Sequence, residues 1–373
     1  MDPTPPAGAR MRAYIKRIAT GPQMSRDLTF DQARDGMGLI LSQSVPEVQA
    51  AVFLVALRMK RESDAENFGV LTALREATCH AEAHIPELAD LADPYDGFSR
   101  CLPVSPFLPA LLSACGLPTV SHGCHQVGPK FGVTHRQILA VAGVPVDYTP
   151  QQAALRLSDP DIGWAYTDQS LFCPALHRLT ELRHLMVKRP CLSTLEKLCG
   201  PVRAAKNHLI VGFVHSDYER LLPEAARHAG YDSAVVVRGV EGGVVAPLNR
   251  VAETRLYVEG SAVHSLTIDP KEAGVTASIR AIPSPVHLSE RDDLDAVTGS
   301  ARQTSDLATA AAEMGLAAMS GAPGPAREGL VYAAASILYA LGRFNTLREA
   351  AARVYGALDS GEALARFQAG VPI

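Results

Sequence analysis

Apolar residues near the start of the chain recur at the spacing of amphipathic helices. Two such faces follow one another, the first made of Phe30, Ala33, Met37, Ile40 and Leu41 and the second of Val48, Ala51, Val52, Val55 and Met59. Three capping boxes are predicted in the same region, pairing Thr29 with Gln32, Ser44 with Glu47, and Ser63 with Glu66. These patterns predict a small all-helical domain whose helices occupy residues 11 to about 80.

Beyond Pro86 the pattern changes to short apolar runs that alternate with capped helices. The runs predict strands at 117–120, 162–166, 208–214, 233–238 and 263–268. Helices are predicted at 105–115, 134–142, 217–229, 304–319, 328–342 and 347–357. Such alternation builds a parallel sheet covered by helices. The predicted fold class is α/β, with a small all-helical domain and a larger α/β domain around a central, mostly parallel sheet.

The composition is typical of a protein with an aliphatic core. Hydrophobic residues make up 47% of the chain and aromatic residues 6%, so we expect folding without a metal or a disulfide. The seven cysteines are odd in number and form no C-x-x-C pair, which indicates reduced thiols. The sequence has no signal-peptide profile and no apolar run that would span a membrane. We therefore expect a cytoplasmic protein with no membrane partner.

The net charge of −4 gives no general attraction to nucleic acid. Residues 177–208 differ, because they contain seven basic side chains and two acidic ones. The basic residues are Arg178, Arg183, Lys188, Arg189, Lys197, Arg203 and Lys206. This run is either a solvated face or a basic rim for the phosphates of a sugar donor or of a nucleic-acid backbone. Four basic residues around the first helix would extend such a rim, namely Arg12, Lys16, Arg17 and Arg26.

The segment Ser121-His122-Gly123-Cys124-His125 follows the apolar run 117–120. Polar groups at this position lie at the carboxyl end of a parallel strand, where open α/β sheets bind ligands. His122 either contacts a substrate or is a half-buried histidine bonded to a backbone carbonyl. Cys124 and His125 add side chains that bind zinc, but their spacing matches no usual zinc pattern. A turn that faces a ligand is the preferred interpretation.

Three segments resemble anthranilate phosphoribosyltransferase and its glycosyltransferase family 3 relatives. They are residues 28–33 (LTFDQA), residues 51–60 (AVFLVALRMK) and Gly116-Leu117-Pro118 leading to His122-Gly123. The likeness extends from about residue 11 to residue 360. It implies a fold of the nucleoside phosphorylase and phosphoribosyltransferase type.

The resemblance also implies how the chain is divided. The helical domain comprises residues 1–80 with a return around 171–190, and the α/β domain comprises 81–170 and 191–373. Members of the family form homodimers through the helical domain. Apolar residues that would serve both as core and as interface are Phe30, Met37, Val52 and Val55.

The family's site for the phosphoribosyl donor is matched in part. In the family the donor pyrophosphate lies on a G-T-G-G-D turn, where glycines let backbone N–H groups approach the phosphates. The corresponding stretch here is Y-D-G-F-S-R, with one glycine instead of three. The resemblance implies donor contacts from Asp96, Gly97, Ser99 and Arg100. An ordinary surface turn is the alternative, because an Asp-Gly pair alone indicates only a turn.

Two further motifs of the family keep only some of their residues in this chain. A K-H-G-N signature is shortened to His122 and Gly123, which the resemblance implies as substrate contacts. The acidic pair that holds Mg²⁺ on the donor is reduced to Glu241, which would bind the metal together with donor phosphates. The family's arginine that faces the aromatic acceptor lies near Arg183, and the resemblance implies Arg183 as the substrate contact on the acceptor side.

The departures are similar to those of a divergent branch of the family, bacterial homologues described as nucleic-acid-binding. Its patterns Y-N-G-A-R, F-C-P and H-G-x-E-G correspond to residues 95–100, 172–174 and 238–242. Two functions are therefore expected. One is a transferase with a degenerate phosphoribosyl-diphosphate loop, with an altered substrate or weak activity. The other is a non-catalytic homodimer that binds nucleic acid without sequence specificity.

Overall fold

The computed structural model describes residues 5–21, 23–285 and 301–371. The described chain contains a bundle of helices and a larger α/β unit, as predicted. Residues 1–4, 22, 286–300 and 372–373, which the predicted domain ranges include, lie outside the described residues.

Four helices at the start of the chain form the bundle. They are α1 (Ala7–Ile18), α2 (Phe30–Leu41), α3 (Glu47–Lys60) and α4 (Asp64–Glu76). The capping boxes at Thr29 and Ser63 are confirmed. The box at Ser44 is wrong, because α3 begins only after Pro46 and no side chain caps it. The Ser44 hydroxyl lies 2.9 Å from that of Ser42 instead.

Nine strands follow within the described ranges. They are β1 (Ala81–Glu82), β2 (Glu87–Ala92), β3 (Thr119–Gly123), β4 (Trp164–Asp168), β5 (Val202–Arg203), β6 (Lys206–Phe213), β7 (Ser233–Arg238), β8 (Ala252–Tyr257) and β9 (His264–Ile268). Seven of them form one sheet in the order β4-β3-β2-β6-β7-β8-β9, and β1 pairs with β5. The first five strands of the large sheet are parallel, and β8 pairs antiparallel with both β7 and β9. The predicted fold class is confirmed.

Twelve further α-helices of the described chain connect or cover these strands. They are α5 (Leu108–Ala114), α6 (His135–Val141), α7 (Pro150–Ser158), α8 (Gln169–Phe172), α9 (Pro174–His177), α10 (Thr180–Met186), α11 (Leu192–Leu195), α12 (Asp217–His228), α13 (Ala301–Met319), α14 (Pro325–Ala340), α15 (Leu347–Asp359) and α16 (Glu362–Ala369). Each predicted helix is present with shifted ends. The elements that were not predicted are the helices α7, α11 and α16 and the strands β1, β2, β5 and β8. No helix in the described ranges is both long and apolar enough to cross a bilayer.

Alternate residues of the inner strands pack into two different cores. Leu209 and Val211 of β6 belong to a core shared with the bundle and with α8–α11. Ile210, between them, belongs to the core formed with the carboxyl-terminal helices. Because side chains of a strand alternate between faces, the bundle covers one face of the sheet and α13–α16 cover the other. The carboxyl edge of the parallel strands lies between these two layers.

The contact between α2 and α4 depends on the absence of a side chain at Gly69. A Cβ there would lie 2.4 Å from the Phe30 carbonyl oxygen and 2.9 Å from the Cβ of Ala33. We expect Gly69→Ala to lower the free energy of unfolding by about 1–3 kcal/mol, because the helices must move apart. In the control Gly38→Ala, no atom lies within 4 Å of the new Cβ. Urea denaturation of both variants checks this, and equal stabilities would contradict the packing.

Candidate functional site

Loops that follow three parallel strands meet at the carboxyl edge of the sheet. The first loop comprises residues 93–104 after β2, the second loop residues 124–134 after β3, and the third loop residues 239–251 after β7. Five of the predicted site residues lie in these loops, namely Asp96, Gly97, Ser99 and Arg100 in the first and Glu241 in the third. The structure therefore brings the predicted donor turn and the predicted metal ligand together.

The first and second loops are joined through their backbones. The Gly132 N–H donates to the Asp96 carbonyl at 2.8 Å, and Phe98 and Val133 exchange two hydrogen bonds of 2.9 and 2.8 Å. Gly97 has a φ of +75°, and a Cβ there would lie 2.5 Å from the Gly132 carbonyl group. Only glycine fits this position, because both the positive φ and the close approach exclude a side chain.

The Glu241 carboxylate lies on the turn that the first loop forms. Its Oε1 accepts hydrogen bonds from the N–H groups of Arg100 and Cys101, at 2.8 and 3.1 Å. Its Oε2 accepts from the N–H of Ser99 at 3.1 Å and lies 2.6 Å from the Lys130 Nζ. Three successive backbone donors and one ammonium group therefore surround a single anion.

The same contacts decide whether Glu241 suits a metal. Burial raises the pKa of Glu241, but Lys130 and the backbone N–H groups outweigh it and hold this pKa below its usual value. A carboxylate offers about four lone-pair positions, and these donors fill them. In this arrangement the carboxylate has no position left for Mg²⁺, and the role of Glu241 as a metal ligand stays a prediction. No group of three His, Cys, Asp or Glu side chains that would hold a metal occurs in the part of the chain that the structure describes.

A buried aspartate ties the three loops to one another. The Asp93 carboxylate accepts from the Val244 N–H at 2.8 Å, lies 2.8 Å from the His135 Nε2, and accepts from the Ser105 hydroxyl. Burial raises the pKa of Asp93, but His135 and Ser105 outweigh it, so the pKa lies below its usual value. Val244 lies within the third loop, and His135 and Ser105 directly follow the second and the first loop. Asp93 thus fixes the positions of the three loops relative to one another.

His122 and Gly123 have no access to a ligand at this edge. His122 is 1% exposed, its Nε2 lies 2.6 Å from the Asp90 carboxylate, and its Nδ1 contacts the Tyr95 hydroxyl. Asp90 also accepts from the Tyr231 hydroxyl at 2.5 Å. The prediction that His122 contacts a substrate is therefore not supported, because the ring is enclosed and both nitrogens have partners. Gly123 is the buried last residue of β3.

Arg183 is also enclosed. It is 1% exposed, and its Nη1 and Nη2 donate to the two carboxylate oxygens of Glu196 at 2.7 and 2.9 Å. Its Nη2 also donates to the Ser193 hydroxyl at 3.2 Å. The predicted contact with an acceptor finds no support in this arrangement, because a buried bidentate ion pair holds the guanidinium away from the surface.

The predicted basic run is exposed only in part. Lys197 is 6% exposed, and burial lowers its pKa to about 8. Arg189 pairs with Asp96 at 2.6 Å, and Lys206 forms an ion pair with Glu259. Burial encloses Arg183 and Lys197, and ion pairing offsets the charges of Arg189 and Lys206, so the exposed positive charge is smaller than the sequence predicts.

Several residues of the edge were not predicted, and they are Asp90, Asp93, Tyr95, Lys130 and His135. One signal was available for the two aspartates, which interrupt an otherwise apolar run. A carboxylate in a buried strand requires polar partners and so marks a polar network. Lys130 carries no comparable signal, because its partner Glu241 is remote in the sequence.

Two family models match the chain, and together they cover most of it. One described as "Glycosyl transferase family, helical bundle domain" matches residues 12–78, and one described as "Glycosyl transferase family, a/b domain" matches residues 99–364. Anthranilate phosphoribosyltransferase from Symbiobacterium thermophilum is 26% identical over 361 residues, covering 95% of this chain and 94% of the relative. The protein of the same name from Haloferax volcanii is 25% identical over 360 residues, covering 96% and 99%.

Solved structures share the fold at lower identity. Anthranilate phosphoribosyltransferase from Thermus thermophilus has a TM-score of 0.72 at 21% identity, covering 97% of this chain and 98% of that one. The Saccharomyces cerevisiae enzyme in complex with PRPP and Mg has a TM-score of 0.75 at 14% identity, covering 97% of both chains. The predicted family resemblance is confirmed. Because the a/b-domain model covers more than half of its residues, the chain belongs to this glycosyl transferase family.

Proposed function

We propose that this chain binds a phosphorylated sugar donor at the first loop and transfers its pentosyl group, weakly or to an acceptor other than anthranilate. The observation that carries the proposal is the convergence of three backbone N–H groups and Lys130 on one anion position. Donors arranged in this way bind phosphate oxygens as well as carboxylates. Relatives named anthranilate phosphoribosyltransferase along nearly the whole chain support the same chemistry.

The reaction proposed is a displacement at the anomeric carbon of the donor. The bond from C1 to the diphosphate oxygen breaks, the diphosphate leaves with the electron pair, and a bond forms from C1 to the acceptor nucleophile, which loses a proton to solvent. Such a reaction requires orientation of the two reactants and stabilisation of the leaving diphosphate. The amides of Ser99, Arg100 and Cys101 and the Lys130 ammonium are the groups that would stabilise it.

The acceptor is expected to differ from an aromatic acid. An anionic acceptor needs a cation beside it, and the guanidinium predicted to face the acceptor, that of Arg183, is neutralised by Glu196 and enclosed. We therefore propose an acceptor without a carboxylate in this region. We include Mg²⁺ in the proposal because the yeast relative is in complex with PRPP and Mg. Binding of the donor is therefore tested with and without Mg²⁺.

We further propose a homodimer formed through the helical domain, residues 1–80 with the return at 171–190. A groove of about 390 Å³ between α3 and α10 is lined by apolar side chains, namely Ala51, Val52, Val55, Ala56, Leu182, Leu185 and Met186. Val52 is 41% exposed and Leu185 66% exposed. Adjacent exposed apolar residues of this kind mark interaction surfaces. Met37, by contrast, is fully buried and serves the core alone.

Lys130→Met is expected to weaken the binding of phosphoribosyl diphosphate at least about tenfold, because a charged partner of the phosphates is lost. Isothermal titration with the donor, with and without Mg²⁺, measures the affinity. Lys206→Met is the matched control, because Lys206 is an exposed lysine that also pairs with a glutamate, and as the first residue of β6 it lies at the opposite end of the sheet. No heat from the unchanged protein at millimolar donor would contradict the proposed function.

Nucleic-acid binding is the competing outcome of the same experiments. A titration with single-stranded DNA at two salt concentrations distinguishes it, since contacts to a phosphate backbone weaken steeply as salt rises. The reduced exposed charge of the basic run predicts no such binding at physiological salt. Tight, salt-dependent DNA binding without donor binding would replace the transferase proposal.

Leu185→Asp is expected to convert the dimer into a monomer, because each copy of the interface would bury an unpaired carboxylate. Sedimentation equilibrium of the unchanged protein and of the Leu185→Asp variant gives the mass of each assembly. Val251→Asp, at a 52% exposed position before β8, is the control and should leave the dimer intact. A monomeric unchanged protein would refute the dimer without affecting the proposed reaction.

A further inference from the structure

Glu241 contacts the first loop as a bound anion would. Its two carboxylate oxygens lie 2.8 to 3.1 Å from the nitrogens of three consecutive N–H groups. The Lys130 ammonium lies 2.6 Å from the same carboxylate. Consecutive backbone donors around one point form a concave anion site. The chain itself supplies the anion in this structure.

The backbone at Glu241 is held in an unfavourable conformation by this contact. Its φ of 51° and ψ of 18° are left-handed, in a short turn between Gly239 and Gly243. A residue with a side chain rarely adopts this region. Strain of this kind persists only where other contacts outweigh it, and the carboxylate contacts supply that compensation. The left-handed backbone at Glu241 and the occupation of the anion site by its carboxylate therefore depend on each other.

A diphosphate would compete for the same donors on favourable terms. The carboxylate brings one negative charge to the Lys130 ammonium, whereas a diphosphate brings several charges and more acceptor oxygens. Hydrogen bonds to a carboxylate and to a phosphate are both charge-assisted, so the advantage of the diphosphate lies in its larger charge beside the Lys130 ammonium. Rotation of the Glu241 side chain would release the donors, with the joined first and second loops left in place.

We propose that Glu241 is an internal anion that occupies the diphosphate site of the resting protein, so that a diphosphate binds only by displacing it. This inference rests on the proposed function, because it assigns an occupant to the same turn. It adds a specific consequence: the affinity measured for a diphosphate is the intrinsic affinity reduced by the small fraction of molecules in which the site is open.

Inorganic pyrophosphate is the probe, titrated calorimetrically into the full chain without Mg²⁺. Glu241→Gln is expected to bind it at least about tenfold more tightly than the unchanged protein, which corresponds to a site open in about one molecule in ten. Glutamine has an acceptor oxygen at only one of its two terminal positions, so it cannot satisfy both sets of donors. Glu253→Gln, an exposed position on β8, makes the same change in net charge and should leave the affinity unchanged.

Glu241→Asp provides a second measurement that retains the charge. Its carboxylate is one methylene shorter and cannot reach all three N–H groups, so its pyrophosphate affinity should lie between those of the unchanged protein and Glu241→Gln. Thermal unfolding establishes that each variant is folded, and the Asp variant decides the question should the Gln variant not fold.

The possible results separate the two proposals. Equal affinities of the unchanged protein and the Glu241 variants, or weaker binding by the variants, would overturn the displacement and leave the proposed function standing. Absence of pyrophosphate and donor binding in all of these proteins would overturn both. Tighter binding by the Gln or Asp variant, with the Glu253 control unchanged, supports the displacement.

Discussion

Three successive backbone N–H groups, those of Ser99, Arg100 and Cys101, point to one position beside the Lys130 ammonium. Partly buried donors require an acceptor, and a cation beside them makes an anion the favourable acceptor. The rest of the edge depends on this requirement. Glu241 must reach across from the third loop, and its backbone must adopt a left-handed conformation to do so.

The proposed donor turn is closely packed although it contains one glycine. A single glycine within residues 95–100 predicts a degenerate turn. In the structure the close approach occurs between two loops, where Gly97 faces Gly132 and neither has room for a side chain. The second glycine is thus supplied from a remote part of the sequence. Glycine counts along one motif do not show this, because they carry no information on which loops are adjacent.

Local patterns predicted most of the fold and much less of the edge. The strands 206–213 and 233–238 are rich in aliphatic residues, so burial on both faces left a clear apolar run. The strand at 87–92 was missed because Asp90 interrupts it, and the partners that make this burial tolerable, His122 and Tyr231, are distant in the sequence. Proximity of the 95–100 and 241 segments was predicted through the family resemblance. Their direct contact was not.

Buried polar pairs enclose His122 and Arg183 and order the residues around the site. Asp90 with His122, Asp93 with His135, and Arg183 with Glu196 are all enclosed in the protein. A buried carboxylate requires polar partners, so Asp90 and Asp93 hold β2 and the loops bonded to it in fixed positions. The donors above them are therefore preorganised, and an anion can bind without the cost of loop reorganisation. One negatively charged group can then replace another through the rotation of a side chain alone. This edge of the sheet therefore selects an entering group by its number of charges more than by its shape.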